Sequence, residues 1–106
     1  MNSVEFYKCL ADHTRLVCVL LVHAQGELCV CELTDALNVS QPKISRHLAR
    51  LREFDILIGE RRGQWVYYRI NPELESWVGE TLSLALQANK VMLNEYQQRL
   101  KRSMCK

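Results

Sequence analysis

The residues whose types and spacing best suit chemistry are two cysteines separated by a single valine, Cys29 and Cys31. Thiolates are the ligands that soft ions prefer, and they are also readily oxidised. The pair stands where a helical pattern starts. A helix N-terminus lowers the pKa of a thiol, so we expect a thiolate there. The pair therefore predicts a site for a soft ion or a redox-active site.

The spacing of the two thiols sets a geometric condition. Residues i and i+2 of a regular helix point about 200° apart, so one ion could not contact both sulfurs. Chelation requires either that Cys29 lies outside the helix or that the first helical turn unwinds. Cys18 lies within an apolar run and is expected to be a buried core residue.

A cationic helix over residues 40–53 follows the thiols. Ser40 is a good N-cap, and Pro42 fits the first helical turn. A short helix over residues 32–37 and a turn at residues 38–40 precede it. A short helix, a tight turn and a donor-rich second helix predict a helix-turn-helix whose second helix enters the DNA major groove.

The polar face of this second helix supplies most of the predicted DNA contacts. The candidates are Ser40, Gln41, Lys43, Ser45, Arg46, His47 and Arg50. The three cations are expected at phosphates, whereas Gln41, Ser45 and His47 are candidates to reach bases.

A β-hairpin is predicted after the cationic helix, with an extended run at residues 56–58, a turn at 61–64 and a strand at 65–70. A hairpin in this position makes the helix-turn-helix winged. Arg61 and Arg62 would lie at the tip of the wing, within reach of a phosphate or the minor groove.

Charge is unevenly distributed along the 106 residues. Residues 1–39 carry two basic and five acidic side chains, a balance of −3, whereas residues 40–70 carry seven basic and three acidic side chains, a balance of +4. Positive charge is thus concentrated on the predicted DNA-binding segment, as phosphate contact requires.

The remaining chain predicts two helices before the cysteine pair and one after the wing. Helices at residues 4–10 and 15–24 precede the pair, with Asp12 capping the second and Gly26 ending it. Residues 72–101 predict one helix of about 29 residues, or roughly 40 Å. A domain of this length has a radius of gyration of about 13 Å, so we expect the long helix to bury its apolar face in a homodimer.

Composition indicates one soluble domain spanning residues 1–106, mainly α-helical with a small β-hairpin. The chain shows no membrane-length apolar run and no signal-peptide pattern, so we expect reduced thiols in the cytoplasm and no membrane partner. A Cys-X-X-Cys pair, a Gly-rich phosphate loop and a catalytic Ser/His/Asp set are absent, so we do not expect an enzyme.

Four segments together resemble the ArsR/SmtB repressors, most closely the arsenic-responsive branch: residues 11–16, 27–33, 40–48 and 62–68. The resemblance implies a dimeric winged-helix repressor that binds double-stranded operator DNA with an inverted repeat. It also implies release of that DNA when As(III) or Sb(III) binds the Cys29-Val30-Cys31 site, and implies no organic cofactor.

The chain departs from this family pattern at one position. Arsenic sensors of this branch often carry a third cysteine where this chain has Thr34. Either two thiolates suffice, with a small thiol or water completing the coordination, or Cys105 or Cys9 supplies the third ligand, within one chain or across the dimer. The N-terminal cysteines of cadmium/lead sensors are absent. No histidine follows His47, so the zinc site on the last helix is not expected either. The alternative that stays open is a thiol-redox or persulfide-sensing repressor of the same fold.

Overall fold

The computed structural model describes residues 1–103 as a mainly helical domain with a small antiparallel sheet. In chain order the elements are α1 (Ser3–Leu10), α2 (His13–Gln25), β1 (Leu28–Cys29), α3 (Val30–Leu37), α4 (Gln41–Glu53), β2 (Leu57–Arg62), β3 (Trp65–Ile70), α5 (Ser76–Ala88) and α6 (Lys90–Arg102). The predicted helix-turn-helix is α3 and α4, and the predicted wing is β2 and β3. Cys105 lies outside the described residues. Across the described part of the chain, every helix is too short or too polar to span a membrane.

Local capping signals fix the ends of the helices that carry the site. The Asp12 side chain accepts a hydrogen bond from the backbone N–H of Arg15 at 3.0 Å, which caps α2. Gly26 ends α2 at φ 89°, a backbone conformation that residues with a Cβ atom rarely adopt. Asn38 ends α3 in the left-handed region at φ 54°. The predicted cap at Asp12 and stops at Gly26 and Asn38 are confirmed.

Helix α2 forms the centre of the core, with residues 17–22 all buried. The stripe Ile44, Leu48 and Leu51 seats α4 against the core, and each of these side chains is fully buried. Cys18 is fully buried in α2, and burial raises the pKa of its thiol to about 12. This confirms the prediction that Cys18 is a core residue.

The sheet contains a short strand that the sequence did not predict. Its order is β1-β3-β2, with Leu28 paired to Tyr68 and Cys29 paired to Tyr67. The hairpin turn is also tighter than predicted. Gly63, at φ 64°, and Gln64 form it alone, while Arg61 and Arg62 belong to strand β2. A two-residue loop with glycine first matches the twist of the flanking strands.

The prediction of one helix over residues 72–101 is wrong. Asn71 accepts a hydrogen bond from the N–H of Glu73 in a turn, and helix α5 begins only at Ser76. Asn89 then separates α5 from α6, with its side-chain amide donating to the Ala85 carbonyl at 2.8 Å. An asparagine side chain that bonds to the backbone carbonyl one turn earlier competes with the hydrogen bonds of the helix.

The break at Asn89 changes what covers the C-terminal apolar residues. Helix α6 packs against α2 and α3, and Leu93 and Leu100 enter the core of the same chain. The C-terminal residues thus form two shorter helices, and the length of a helix no longer indicates a homodimer.

Candidate metalloid and DNA-binding sites

The two cysteines of the pair converge because Cys29 lies outside helix α3. Cys29 has an extended backbone, with φ −91° and ψ 163°, at the end of strand β1, and Cys31 is the second residue of α3. The two Sγ atoms lie 3.4 Å apart. Of the two geometric alternatives that the spacing allows, the structure has the first, and the helix does not need to unwind.

This separation suits one ion bound to both sulfurs. With ion–sulfur bonds of about 2.3 Å, as in metal–thiolate sites, the S–ion–S angle would be about 95°. That angle is narrower than the tetrahedral angle of about 109° that structural zinc sites prefer. It fits a pyramidal three-coordinate ion.

Cys29 and Glu32 cap the start of α3 reciprocally. The Cys29 N–H donates to Glu32 Oε1 at 3.0 Å, while the Cys29 side chain faces the Glu32 N–H. Burial nevertheless raises the pKa of the Cys29 thiol above its usual value, outweighing the backbone N–H donors of Glu32 and Cys31. The expectation that the helix start lowers this pKa is thus wrong for Cys29, which is only 3% exposed.

Residues 1–103 do not supply a third ligand beside the pair. No group of three or more His, Cys, Asp or Glu side chains in this described range could hold a metal ion. The Thr34 hydroxyl donates to the Val30 carbonyl at 2.9 Å within α3. Cys9 is buried in the core at 2% exposure, where burial raises its pKa.

The predicted DNA-binding face of α4 is largely exposed. Lys43, Arg46 and Arg50 are exposed at positions i, i+3 and i+7, which share one face of a helix. Beside them, Gln41 donates to the Ser45 hydroxyl at 2.8 Å. Ser40, the exposed N-cap, lies at the same end of α4. This arrangement presents three cations and several hydrogen-bonding groups to one side.

His47 is placed differently from the other predicted base contacts. Its ring is turned toward α2, with Nδ1 3.4 Å from Arg15 Nη1 and Nε2 4.0 Å from Asp12 Oδ1. Burial is the largest cause that lowers the His47 pKa, which favours the neutral ring near pH 7. His47 therefore ties α4 to α2 in this structure instead of facing outward with Arg46.

Arg15 is a structural residue that sequence reasoning missed. Its Nε donates to the Cys9 carbonyl at 2.6 Å, at the end of α1, while its Nη1 faces His47 on α4. A half-buried arginine that reaches backbone carbonyls has no local sequence signal, because its partners come from other elements.

Arg62 also departs from its predicted role at the wing. Its Nη1 and Nη2 donate to Glu27 Oε2 and Oε1 at 2.9 and 2.6 Å, and Nη2 donates to Glu60 at 3.1 Å. Two carboxylates thus balance its charge. Arg61 remains exposed, with Nε donating to the Gly63 carbonyl at 3.2 Å.

Comparison with known proteins identifies the family. Residues 12–58 match the family described as "Bacterial regulatory protein, arsR family". The "Arsenic resistance transcriptional regulator ArsR2" of Pseudomonas putida is 58% identical over 97 residues, covering 92% of this chain and 84% of the relative. The chain belongs to the ArsR family. The "Arsenical resistance operon repressor" of Escherichia coli is 43% identical to this ArsR family chain over 102 residues, covering 96% of it and 87% of the relative.

Solved structures of similar fold support the winged helix-turn-helix. Reduced HlyU from Vibrio cholerae superposes on this ArsR family member with a TM-score of 0.73 at 28% identity, covering 81% of this chain and 86% of that protein. The AntR antimony-specific transcriptional repressor gives a TM-score of 0.69 at 31% identity, covering 84% and 78%. The chain is accordingly a DNA-binding transcriptional regulator and not an enzyme.

Arg46 is predicted to contact a phosphate, so replacing it with alanine should weaken operator binding on all DNA sequences and lower the salt slope by about one unit. Equilibrium titrations at several salt concentrations measure both effects. His47→Gln is the matched neighbour, and its salt slope should stay unchanged because the ring faces α2. Unchanged affinity and slope for Arg46→Ala would contradict the assignment of this face.

Proposed function

We propose that this ArsR family regulator represses transcription as a homodimer and leaves its operator when As(III) or Sb(III) binds Cys29 and Cys31. The observation that carries the proposal is the 3.4 Å separation of the two Sγ atoms at the first residues of the helix-turn-helix. The names of the similar arsenic and antimony regulators support this choice of ion.

The third ligand in this proposal is Cys105, in preference to the buried Cys9. Cys105 is outside the described residues and follows two positions after Ser103. The Ser103 hydroxyl donates to Asp35 Oδ2 at 2.8 Å, and Asp35 lies one helical turn after Cys31 on the same face of α3. This contact brings the described C-terminal end of the chain to the helix that carries Cys31.

The proposed DNA contacts are Ser40, Gln41, Lys43, Ser45, Arg46, Arg50 and Arg61. Direct DNA contact by His47 or Arg62 would require each of them to exchange its present protein partners. An operator with an inverted repeat would match a two-fold symmetric dimer.

A homodimer is supported by apolar side chains exposed on α1 and α5. Val4 and Tyr7 on α1 are 61% and 55% exposed, and Leu84 on α5 is 66% exposed. The two helices are neighbours, since the Phe6 and Trp77 rings lie 5.3 Å apart edge to face. We propose the cytoplasm as the setting, a compartment whose reducing systems act against disulfides.

The raised pKa of the Cys29 thiol favours binding of an ion that arrives as a neutral hydroxide over binding of a divalent cation. As(III) is the neutral acid As(OH)₃ in neutral water, and each exchange of an As–O bond for an As–S bond takes up the thiol proton as water. With the three proposed thiols, As(OH)₃ + 3 RSH gives As(SR)₃ + 3 H₂O, so no net proton is released. A divalent cation must instead displace the proton into solution.

The Cys29→Ser and Cys31→Ser variants should bind the operator but resist release by arsenite, because a hydroxyl is a poor ligand for a soft ion. Fluorescence anisotropy of a labelled operator, titrated with arsenite under a phosphine reductant, measures release and excludes oxidation. Cys18→Ser is the control and should still release, since its buried thiol is not part of the site. If the Cys29/Cys31 double variant released DNA at the wild-type arsenite concentration, the proposal would fail. A higher arsenite requirement for Cys105→Ser would support Cys105 as the third ligand.

Binding of cadmium should depend on pH much more strongly than binding of arsenite. Below the raised pKa of Cys29, the apparent Cd(II) affinity should rise about tenfold per pH unit for each thiol that loses its proton. Arsenite affinity should stay nearly constant over the same range. Calorimetric titrations between pH 6 and pH 8 test this, and equal slopes for the two ions would contradict it.

A further inference from the structure

The cysteine pair and the wing share one strand ladder. Cys29 on β1 is paired with Tyr67 on β3, and Tyr67 is paired with Glu60 on β2. Directly paired residues project from the same face of a sheet. A row of side chains therefore runs across the sheet from the candidate metalloid ligand to the wing.

Arg62 connects the far end of this row back to β1. Its guanidinium carbon lies 4.7 Å from the centre of the Tyr67 ring, and its two terminal nitrogens hold both oxygens of Glu27. Glu27 stands two residues before Cys29. We call these three side chains, Glu27, Arg62 and Tyr67, the wing bridge.

The geometry of the wing bridge favours a positioning role over a phosphate contact. Exposed ion pairs are usually weak, and the Arg62 and Glu27 side chains are 45% and 35% exposed. The ion pair of Arg62 and Glu27 is nevertheless bidentate, and the guanidinium lies over the Tyr67 ring. Both features fix the orientation of the guanidinium. Because Glu27 and Glu60 together outweigh the charge of Arg62, this arginine offers no net attraction to DNA while both contacts persist.

We propose that the wing bridge transmits occupancy of the cysteine pair to the wing, with Glu27 and Arg62 acting as positioning residues. This inference rests on the proposed function, because it assumes that an ion binds Cys29 and Cys31. An ion held by Cys29 changes the position of β1 beside Tyr67. Glu27 precedes Cys29 in the same short segment and forms the ion pair with Arg62. A displacement of β1 therefore moves the end of β2, and with it Arg61, away from the DNA.

The test measures a coupling factor, defined as the ratio of operator dissociation constants with and without saturating arsenite. We expect Glu27→Gln to lower this factor at least tenfold, because a neutral amide cannot hold the guanidinium as a bidentate carboxylate does. The arsenite affinity of the free protein should stay at the wild-type value. Tyr67→Leu should lower the factor as well, whereas Tyr67→Phe, which keeps the ring, should retain it.

Glu60→Gln is the matched control. It removes the same charge from the same arginine, but the Glu60 carboxylate holds Arg62 from within strand β2, whereas Glu27 holds it from the segment that leads to Cys29. The Glu60→Gln variant should keep the wild-type coupling factor even if its operator affinity changes with the added positive charge.

The outcomes separate this inference from the proposed function. If arsenite does not release the wild-type protein from DNA, the proposed function itself fails. If the wild type is released and Glu27→Gln keeps its coupling factor, the wing bridge does not transmit the signal. Equal losses in Glu27→Gln and Glu60→Gln would also overturn the inference, because charge alone would explain them. The inference would also fail if Glu27→Gln lowered the arsenite affinity of the free protein by the same factor by which it lowered the coupling factor.

Discussion

The conformation of Cys29 is the constraint on which the rest of the site depends. Because the residue is extended and caps α3, its Sγ atom lies beside that of Cys31 instead of on the opposite side of a helix. The same extended conformation lets Cys29 pair with Tyr67 in the sheet. One residue thus belongs to the thiol pair, to the ladder that reaches the wing and to the start of the helix-turn-helix. We propose that an ion bound to its sulfur acts on all three.

The cationic side chains divide into two groups that net charge cannot distinguish. Lys43 and Arg46 are exposed on α4 and available to phosphates. Arg15, Arg62 and Arg99 instead connect elements of the fold: Arg15 reaches the Cys9 carbonyl, Arg62 holds Glu27, and Arg99 Nη1 donates to the Ala36 carbonyl at 2.9 Å. The planar guanidinium suits this second role, because it offers several donors in a fixed geometry. Arg99 also fastens α6 to α3, the helix that carries Cys31.

Features encoded by neighbouring residues could be predicted from the sequence. The cap at Asp12 and the stop at Gly26 depend on residues at the ends of one helix, and the structure confirms both. Strand β1 could not be predicted, since two residues carry no periodicity and its pairing partner, β3, lies almost forty positions later.

Partners distant in sequence explain the remaining differences. His47 was expected at DNA because it occupies the polar part of α4, yet its nearest polar groups, on Asp12 and Arg15, belong to α2. At the helix break the Asn89 side chain bonds to the Ala85 carbonyl, and Leu93 after it enters the core, and an uninterrupted apolar stripe in the sequence conceals both. The direction of the Cys29 pKa shift also depends on distant residues. Burial among them raises this pKa by more than the N–H groups at the helix start lower it.

We propose that ion binding to the thiol pair and operator binding to the same protein weaken each other. Free-energy linkage requires such antagonism to be reciprocal. The most direct measurement is therefore the arsenite affinity of the wild-type protein, determined with and without saturating operator DNA under reducing conditions. We expect operator DNA to weaken arsenite binding by the same factor by which arsenite weakens operator binding. An arsenite affinity unchanged by the operator would contradict it.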